Sequence, residues 1–182
     1  VIYRIEDIVN EIKLYDCRYI TVTGGEPLAQ EGCLELLEKL SDLDYEVSLE
    51  TSGAMDISTV DARVVKVMDL KTPGSKEMHR NKERNVDFLN LQDQVKFVIC
   101  NREDYEWARE KMNELNLQEK VSDILFSPSH EELEAKDLAE FIVSDEVYGT
   151  FKWFDNKDAW VGDFVSLKLQ RAENYEGVRY KV

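Results

Sequence analysis

The sequence predicts an α/β fold in which parallel strands alternate with helices, followed by an antiparallel β meander. Apolar runs of strand length alternate with segments whose apolar residues recur at helical spacing. The first, second, third and fifth predicted strands run directly into polar clusters. After residue 148 the pattern changes to short period-two runs separated by turn-like segments. We therefore expect an α/β domain over residues 1–148 and a β-rich extension packed on it over residues 149–182.

Composition narrows the classes of protein to which the chain can belong. It has 182 residues, 43% of them hydrophobic, which suits one globular domain with a small appendage. A formal net charge of −15 would repel phosphates, so we expect no direct nucleic-acid partner. We expect no membrane span, because no run of about 18 apolar residues occurs, and we expect no signal peptide. Three well-separated cysteines favour reduced thiols and a cytoplasmic location.

The stretch RYITVTGGEP, residues 18–27, is central to this pattern. Its β-branched and aromatic residues predict a buried strand that ends in a Gly-Gly turn. Glycines at that point let a ligand approach the backbone N–H groups closely, and Glu26 can accept hydrogen bonds from a ligand ammonium. Pro27 suits the first turn of a following helix. An ordinary strand-to-helix turn explains the two glycines equally well.

The other elements continue the alternation of helix and strand. The strands after the first are predicted within residues 46–53 and at residues 64–70, 94–99 and 123–126. The helices are predicted from apolar stripes at Ile5, Ile8, Val9 and Ile12; at Leu34, Leu37 and Leu40; at Tyr105, Ala108, Met112 and Leu115; and at Leu133, Leu138, Phe141 and Ile142. Parallel strands bring their carboxyl ends to one rim, so the polar clusters should meet in one site.

Five segments, VTGGEP, SLETSG, MDLKTPGS, QVKFVI and LFSPSH, carry a family resemblance when they are taken in this order. They resemble the radical S-adenosylmethionine enzymes and, within them, the 7-carboxy-7-deazaguanine synthases of queuosine biosynthesis. The resemblance covers roughly residues 1–147 and implies a partial (β/α) barrel. It implies S-adenosylmethionine and a 4Fe-4S cluster as cofactors, with Mg²⁺ assisting. The implied substrate is 6-carboxy-5,6,7,8-tetrahydropterin, from which a 5′-deoxyadenosyl radical abstracts hydrogen. The implied enzyme is a carbon–nitrogen lyase, and its product is 7-carboxy-7-deazaguanine.

The resemblance also implies partners and site residues. A reductant such as flavodoxin or ferredoxin and a homodimeric state are expected. The cofactor-binding residues would be Thr23, Gly24, Gly25, Glu26, Ser52, Lys71, Ser75 and Ser127. The substrate-binding residues would be Thr23, Gly25, Glu50, Thr51, Lys96 and Ser129. No catalytic residue is assigned.

Several of these residues have a structural alternative. Glu50 either meets a ligand donor or caps a turn, and Lys71 and Lys96 either pair with a substrate carboxylate or end a strand in solvent. Asp69 either orients Lys71 or forms an ion pair inside the barrel. The serines are ligand hydroxyls, or turn and N-cap residues. His79 and His130 are expected to be solvent-exposed loop residues.

The cluster motif of the radical enzymes does not occur in this chain. Such a cluster needs three thiolates, normally spaced C-x-x-x-C-x-x-C. In the resembled family the motif precedes the first helix seen here, so Val1 would follow the cluster loop. Cys17, Cys33 and Cys100 are expected to be small buried apolar side chains, with no metal ligand in this chain. The segment alone is therefore not expected to perform radical chemistry.

The C-terminal tail departs from the resembled family, which closes with a parallel strand and a Gln-x-x-His-like segment. The tail aromatics, Trp153, Phe154, Trp160 and Phe164, are expected to form the core of the meander or cover the open edge of the barrel.

Two other functions stay open. A glycyl-radical activase shares VTGGEP but does not need LKTPGS or FSPSH, and a non-catalytic truncated or engineered barrel would explain the missing cysteine motif.

Overall fold

Five parallel strands in chain order form the centre of the molecule. The computed structural model describes residues 3–144, 150–153 and 165–168. The parallel strands are β1 (Tyr19–Val22), β2 (Glu46–Thr51), β3 (Val65–Asp69), β4 (Gln94–Ile99) and β5 (Asp123–Pro128). Two antiparallel strands, β6 (Thr150–Trp153) and β7 (Val165–Lys168), extend the sheet to the order β1-β2-β3-β4-β5-β7-β6. The predicted α/β class is confirmed.

Helices connect the strands and cover one face of the sheet. They are α1 (Ile5–Ile12), α2 (Cys33–Asp42), α3 (Arg102–Glu114), α4 (Leu117–Lys120) and α5 (Ala135–Ser144). Successive side chains of a strand point to opposite faces. In β4, Val95, Phe97 and Ile99 are accordingly buried in the core that the helices share, whereas Lys96 is only half-buried. The sheet therefore has an apolar, helix-covered face and a face that carries polar residues.

The segment after β1 differs from the prediction. Pro27 begins a short 3₁₀ turn, Pro27–Ala29, instead of a long helix. Gly32 adopts a left-handed conformation with φ of 84°, which separates this turn from α2. Leu34 was predicted to face the core, but it is 42% exposed because Cys33, Leu37 and Leu40 occupy the buried side of α2.

Other elements differ in length or were not predicted. Strand β5 is two residues longer than expected, because Ser127 and Pro128 continue the pairing with β4. The short helix α4 had no apolar repeat long enough to predict it. The polar stretch after β3 contains the 3₁₀ segments Pro73–Ser75, Met78–Arg80 and Glu83–Phe88.

The cysteines were expected to be buried, and this holds for Cys33 alone. Cys17 is exposed because it lies in the turn before the edge strand β1, and Cys100 is half-buried after β4. His79 and His130 are exposed, as predicted.

No helix in the described part of the chain is both long and apolar enough to cross a bilayer.

The amino-terminal ends of β3 and β4 are joined by a buried ion pair. Lys66 Nζ lies 3.1 Å from Asp93 Oδ2, and the two side chains are 3% and 0% exposed. The Asp93 carboxylate also accepts hydrogen bonds from the backbone N–H groups of Lys66 and Asn90, each at 2.8 Å. A carboxylate with these three partners can be buried without leaving an unpaired charge.

The tail contributes strands β6 and β7 to the described structure. They pair antiparallel with each other, and β7 pairs antiparallel with β5, so the edge beyond β5 is occupied by backbone from the tail. The last of the period-two runs predicted in the tail, residues 178–182, lies outside the described residues, and so do Phe154, Trp160, Phe164 and the expected boundary near residue 148. The division into two domains stays a prediction.

Candidate active site

The loops that follow the parallel strands meet at one edge of the sheet. Each of β1 to β5 runs parallel to its sequence neighbour, so the five carboxyl ends form a single rim. Hydrogen bonds link the first loop to the second, and an ion pair links β2 to β4. The expectation that the polar clusters after these strands lie at one edge is confirmed by this arrangement.

The Glu26 carboxylate joins the loops after β1 and β2. It accepts hydrogen bonds from the Thr51 hydroxyl at 2.9 and 3.0 Å, and from the Ser52 amide and hydroxyl at 2.8 and 2.5 Å. The amide of Leu28 donates to it at 3.2 Å. Both carboxylate oxygens therefore already have protein donors. Glu26 holds the β2 loop in place in this structure, and its expected contact with a ligand ammonium stays a prediction.

The Gly-Gly turn lies open at the rim. Gly24 has φ of 110° and Gly25 has φ of 61°, conformations that an L side chain rarely adopts. Both glycines and Thr23 are exposed, and a Cβ atom on either glycine would meet nothing within 4 Å. Backbone conformation therefore explains the two glycines, because no neighbouring group would exclude a side chain at either position.

Glu50 and Lys96 form an ion pair on the polar face of the sheet. Lys96 Nζ lies 3.2 Å from Glu50 Oε2, across the intervening strand β3. Their side chains are 15% and 31% exposed, respectively, so both groups are accessible from the rim while they pair with each other. Neither the turn-cap alternative for Glu50 nor the solvated alternative for Lys96 fits this arrangement.

Asp69 and Lys71 form a second ion pair at the end of β3. Lys71 Nζ lies 2.7 Å from Asp69 Oδ2, and the Asp69 side chain is 14% exposed. The other carboxylate oxygen, Oδ1, is buried, and no donor among the described residues reaches it. A buried acceptor without a partner is costly, so this atom marks a place where a ligand donor would be stabilising.

The loop after β3 is tied to the start of α3. Asp104 is 1% exposed, and its carboxylate accepts hydrogen bonds from the amides of Gly74 at 2.7 Å and Cys100 at 3.0 Å. A Cβ atom at position 74 would collide with this carboxylate. The Ser75 hydroxyl donates to the Thr72 carbonyl oxygen at 2.5 Å, and Thr72 Oγ1 donates to the Val98 carbonyl oxygen at 3.0 Å.

The rim between β4 and β5 carries a protonated thiol. Burial and a hydrogen bond to Glu132 raise the pKa of Cys100 to about 12. Hydrogen bonds from Cys100 and Ser129 lower the pKa of Glu132, and the Ser129 hydroxyl lies 2.7 Å from Glu132 Oε2. At neutral pH a thiol of this pKa is a hydrogen-bond donor rather than a thiolate ligand or nucleophile.

A cavity of about 320 Å³ lies over these loops. Asp69, Lys71, Ser75, Cys100 and Ser129 are among the residues that line it. Its volume falls within the range of small-molecule sites. Ser127, predicted to bind the cofactor, lies within β5, is 8% exposed and does not line this cavity.

Three curated relatives of this chain are 7-carboxy-7-deazaguanine synthases. The 7-carboxy-7-deazaguanine synthase of Koribacter versatilis is 37% identical over 156 residues, which cover 78% of this chain and 69% of the relative. The chain belongs to the 7-carboxy-7-deazaguanine synthase family. The synthases of Chlorobaculum tepidum and Clostridium acetobutylicum are 35% and 32% identical over 79% and 78% of this chain, and 66% of each relative is covered. The chain thus spans about two thirds of the length of these relatives. No protein-family model matches it.

Solved structures support the same fold for this member of the 7-carboxy-7-deazaguanine synthase family. Archaeal TYW1 has a TM-score of 0.61 at 12% identity, over 91% of this chain and 64% of that protein. QueE from Escherichia coli has a TM-score of 0.54 at 19% identity, over 79% of this chain and 61% of that protein. The expected partial barrel of the radical S-adenosylmethionine type is consistent with these neighbours, and the family resemblance is confirmed.

Several residues that build this site were not singled out from the sequence. Asn81 Oδ1 accepts the Lys71 N–H at 3.0 Å, and Asn81 Nδ2 donates to the Lys71 carbonyl oxygen at 2.9 Å. Asn85 Nδ2 donates to the carbonyl oxygens of Gly53 and Met55. Asp104 follows the N-cap Asn101 by three residues, a spacing that marks a helix start but does not reveal contacts to the β3 loop. No sequence signal separates the two asparagines from ordinary loop residues.

Proposed function

We propose that this chain is the barrel part of a 7-carboxy-7-deazaguanine synthase. The reaction converts 6-carboxy-5,6,7,8-tetrahydropterin to 7-carboxy-7-deazaguanine and releases ammonia, which makes the enzyme a carbon–nitrogen lyase. Family membership supports the proposal, and one observation of the site carries it. The ion pairs Asp69–Lys71 and Glu50–Lys96 lie at the same rim, and Asp69 has a buried oxygen that needs a donor.

The cavity residues fit the amino-acid end of S-adenosylmethionine. The Lys71 ammonium would bind its carboxylate, and Asp69 Oδ1 would accept a hydrogen bond from its ammonium. The exposed backbone of Gly24 and Gly25, together with Ser75, would complete the cofactor contacts. When bound and cleaved, the cofactor supplies the radical that abstracts hydrogen from the substrate. The chain's own residues bind and orient the two ligands.

The Glu50–Lys96 pair fits a pterin that carries a carboxylate. Lys96 would bind the substrate carboxylate, and Glu50 would accept hydrogen bonds from ring N–H or amino donors. Because each group is already paired with the other, substrate binding exchanges one ion pair for two charge-assisted contacts and leaves neither charge without a partner. Thr23, Gly25, Thr51 and Ser129 would border the substrate on the rim.

The described cysteines do not fit an iron–sulfur cluster. Cys17 lies before β1, Cys33 within α2 and Cys100 after β4, and Cys100 keeps its proton. In the described ranges, no three His, Cys, Asp or Glu side chains lie close enough to hold a metal ion. We therefore assign no residue of this chain to the 4Fe-4S cluster or to Mg²⁺, and both belong to the proposal through the family. The same holds for a flavodoxin or ferredoxin reductant, a homodimer and a cytoplasmic location.

Turnover of the carboxytetrahydropterin tests the proposal. The full-length, cluster-reconstituted enzyme should form 7-carboxy-7-deazaguanine, and Lys96→Met should raise KM for the pterin by about 10- to 100-fold because a charged hydrogen bond is lost. Lys39→Met, an exposed lysine on α2, is the matched control and should leave KM unchanged. Activity on a protein substrate alone would support an activase instead.

A binding experiment separates the enzyme from a non-catalytic barrel. Calorimetric titration with S-adenosylmethionine should give saturable heat with the reconstituted full-length protein, and Lys71→Ala should weaken the affinity. Absence of both iron and heat of binding in that protein would favour the non-catalytic alternative. Iron bound by this segment alone would contradict the account of its three cysteines.

A further inference from the structure

Lys71 lies where the chain has just left the sheet. The last register pair of β3 with β4 is Asp69 with Lys96, and the Leu70 N–H still donates to the Lys96 carbonyl oxygen at 2.9 Å. One residue later, the backbone N–H and carbonyl oxygen of Lys71 both pair with the side chain of Asn81. The side-chain amide thus replaces the neighbouring strand at the position where the ladder ends.

The chemistry of this contact requires a side-chain amide. A single planar group must present one acceptor and one donor to the same residue, which among side chains suits asparagine and glutamine. The two hydrogen bonds, 3.0 and 2.9 Å long, fix the peptide groups on both sides of the Lys71 Cα atom. With the backbone fixed, the Lys71 side chain can reach Asp69 at 2.7 Å.

Asn81 itself lies in a segment anchored to a second rim loop. The Asn81 N–H donates to the Met78 carbonyl oxygen at 3.1 Å, and the next residue, Lys82, donates its N–H to the Gly53 carbonyl oxygen at 3.3 Å. Asn85 Nδ2 donates to the same Gly53 oxygen at 2.9 Å. The segment therefore connects the loop after β2 to the loop after β3, and Asn81 is its contact with Lys71.

We propose that Asn81 is a positioning residue that sets the Lys71 ammonium for ligand binding in the cavity. Asn81 is not among the residues that line the cavity, so it acts through Lys71 and not by touching the ligand. The inference rests on the proposed function, in which Lys71 binds the carboxylate of S-adenosylmethionine. It adds a residue, outside the rim motifs, on which cofactor affinity depends.

A double-mutant cycle in the reconstituted full-length enzyme tests the inference. The variants are Lys71→Ala, Asn81→Ala and their combination, and the measurement is S-adenosylmethionine affinity by calorimetry. Lys71→Ala should weaken affinity about 10- to 100-fold and Asn81→Ala about 5- to 10-fold. The double variant should match Lys71→Ala alone, because without the ammonium there is nothing left for Asn81 to position.

Stability measurements and two further variants separate positioning from general structural damage. Asn81→Ala should lower Tm by the same amount with Lys71 or with Ala at position 71, since the backbone contacts exist in both. Asn81→Asp keeps the acceptor for the Lys71 N–H but places a carboxylate oxygen against the Lys71 carbonyl oxygen, so it should weaken affinity at least as much as Asn81→Ala. Gln92→Ala is the matched control: Gln92 Nε2 donates to the Ala62 carbonyl oxygen at 2.6 Å, before β3 begins. It should leave affinity unchanged.

The outcomes distinguish the inference from the function on which it rests. Asn81→Ala affinity within twofold of wild type, alongside a weakened Lys71→Ala, would overturn the positioning role and leave the proposed function standing. Equal losses from Asn81→Ala in both backgrounds would likewise overturn it, because Asn81 would then act independently of Lys71. Unchanged affinity in Lys71→Ala would refute the assignment of Lys71 to the cofactor, and the inference with it.

Discussion

Single residues at the rim connect loops that are distant in sequence, and Glu26 is an example. Glu26 was predicted from the GGEP segment as a ligand acceptor, yet its two oxygens hold Thr51, Ser52 and Leu28. A glutamate that connects two loops contributes to binding by fixing the groups around a ligand. The sequence predicted that Glu26 matters but did not identify its main contacts, because the donors Thr51 and Ser52 lie 25 and 26 residues away.

Glu26→Gln should lower the free energy of unfolding by about 1–3 kcal/mol. A glutamine keeps one acceptor oxygen, but its amide would face donors such as the Ser52 N–H and hydroxyl. Urea unfolding measures the change. Glu31→Gln, at an exposed position in the following segment, should stay within about 0.5 kcal/mol of wild type. Equal stability of the two variants would contradict the bridging role of Glu26.

Cys100 should resist alkylation although it lines the cavity. Its pKa is raised to about 12, so at about pH 8 its thiolate fraction is far below that of an ordinary cysteine. Iodoacetamide should modify the exposed Cys17 at least about 100-fold faster than Cys100, as measured by peptide mass spectrometry. Unfolding in guanidinium chloride should make the two rates similar. A fast-reacting Cys100 in the folded protein would show that its proton is not held.

At the scale of elements, the rim is built by contacts between loops that are distant in sequence. The loop after β2 is held by Glu26 and Asn85, and the loop after β3 is held by Asn81 and Asp104. The strands themselves were predictable from apolar runs, and all five parallel strands were placed to within about two residues. The loops were not, because their conformations depend on partners outside the local sequence.

Gly74→Ala should destabilise the loop after β3 by about 1–3 kcal/mol, because the new Cβ atom would collide with the Asp104 carboxylate. Asp104→Ala should itself be destabilising, since the amides of Gly74 and Cys100 lose their acceptor. In the Asp104→Ala background the added cost of Gly74→Ala should fall below about 0.5 kcal/mol. Additive costs, measured by urea unfolding, would rule out the steric explanation.

At the scale of the whole molecule, the two ends of the strands have different roles. The carboxyl ends carry the ion pairs of the candidate site, Asp69–Lys71 and Glu50–Lys96, which remain partly exposed. The amino-terminal ends of β3 and β4 carry the buried pair Lys66–Asp93, far along the strand from the cavity residues. We therefore expect stability and ligand affinity to respond to different substitutions.

Asp93→Ala should cost about 3–5 kcal/mol of unfolding free energy, because it leaves the Lys66 ammonium buried without a carboxylate. Lys66→Met should cost less, since Asp93 keeps the N–H donors of residues 66 and 90. Denaturant unfolding measures both. Lys66→Met should leave S-adenosylmethionine affinity within about twofold of wild type. A larger cost for Lys66→Met than for Asp93→Ala would contradict this view of the pair.

The sequence by itself determined the α/β class, the alternation of parallel strands with helices, the shared rim and the family, because apolar periodicity and short motifs are local properties of the chain. Only the tertiary structure decided which polar groups pair. It joined Glu50 to Lys96, Glu26 to Ser52 and Lys71 to Asn81, and it placed Ser127 inside a strand. Hydrogen bonds and ion pairs act over a few ångströms, so partners separated by tens of residues are chosen by the way the strands and loops pack.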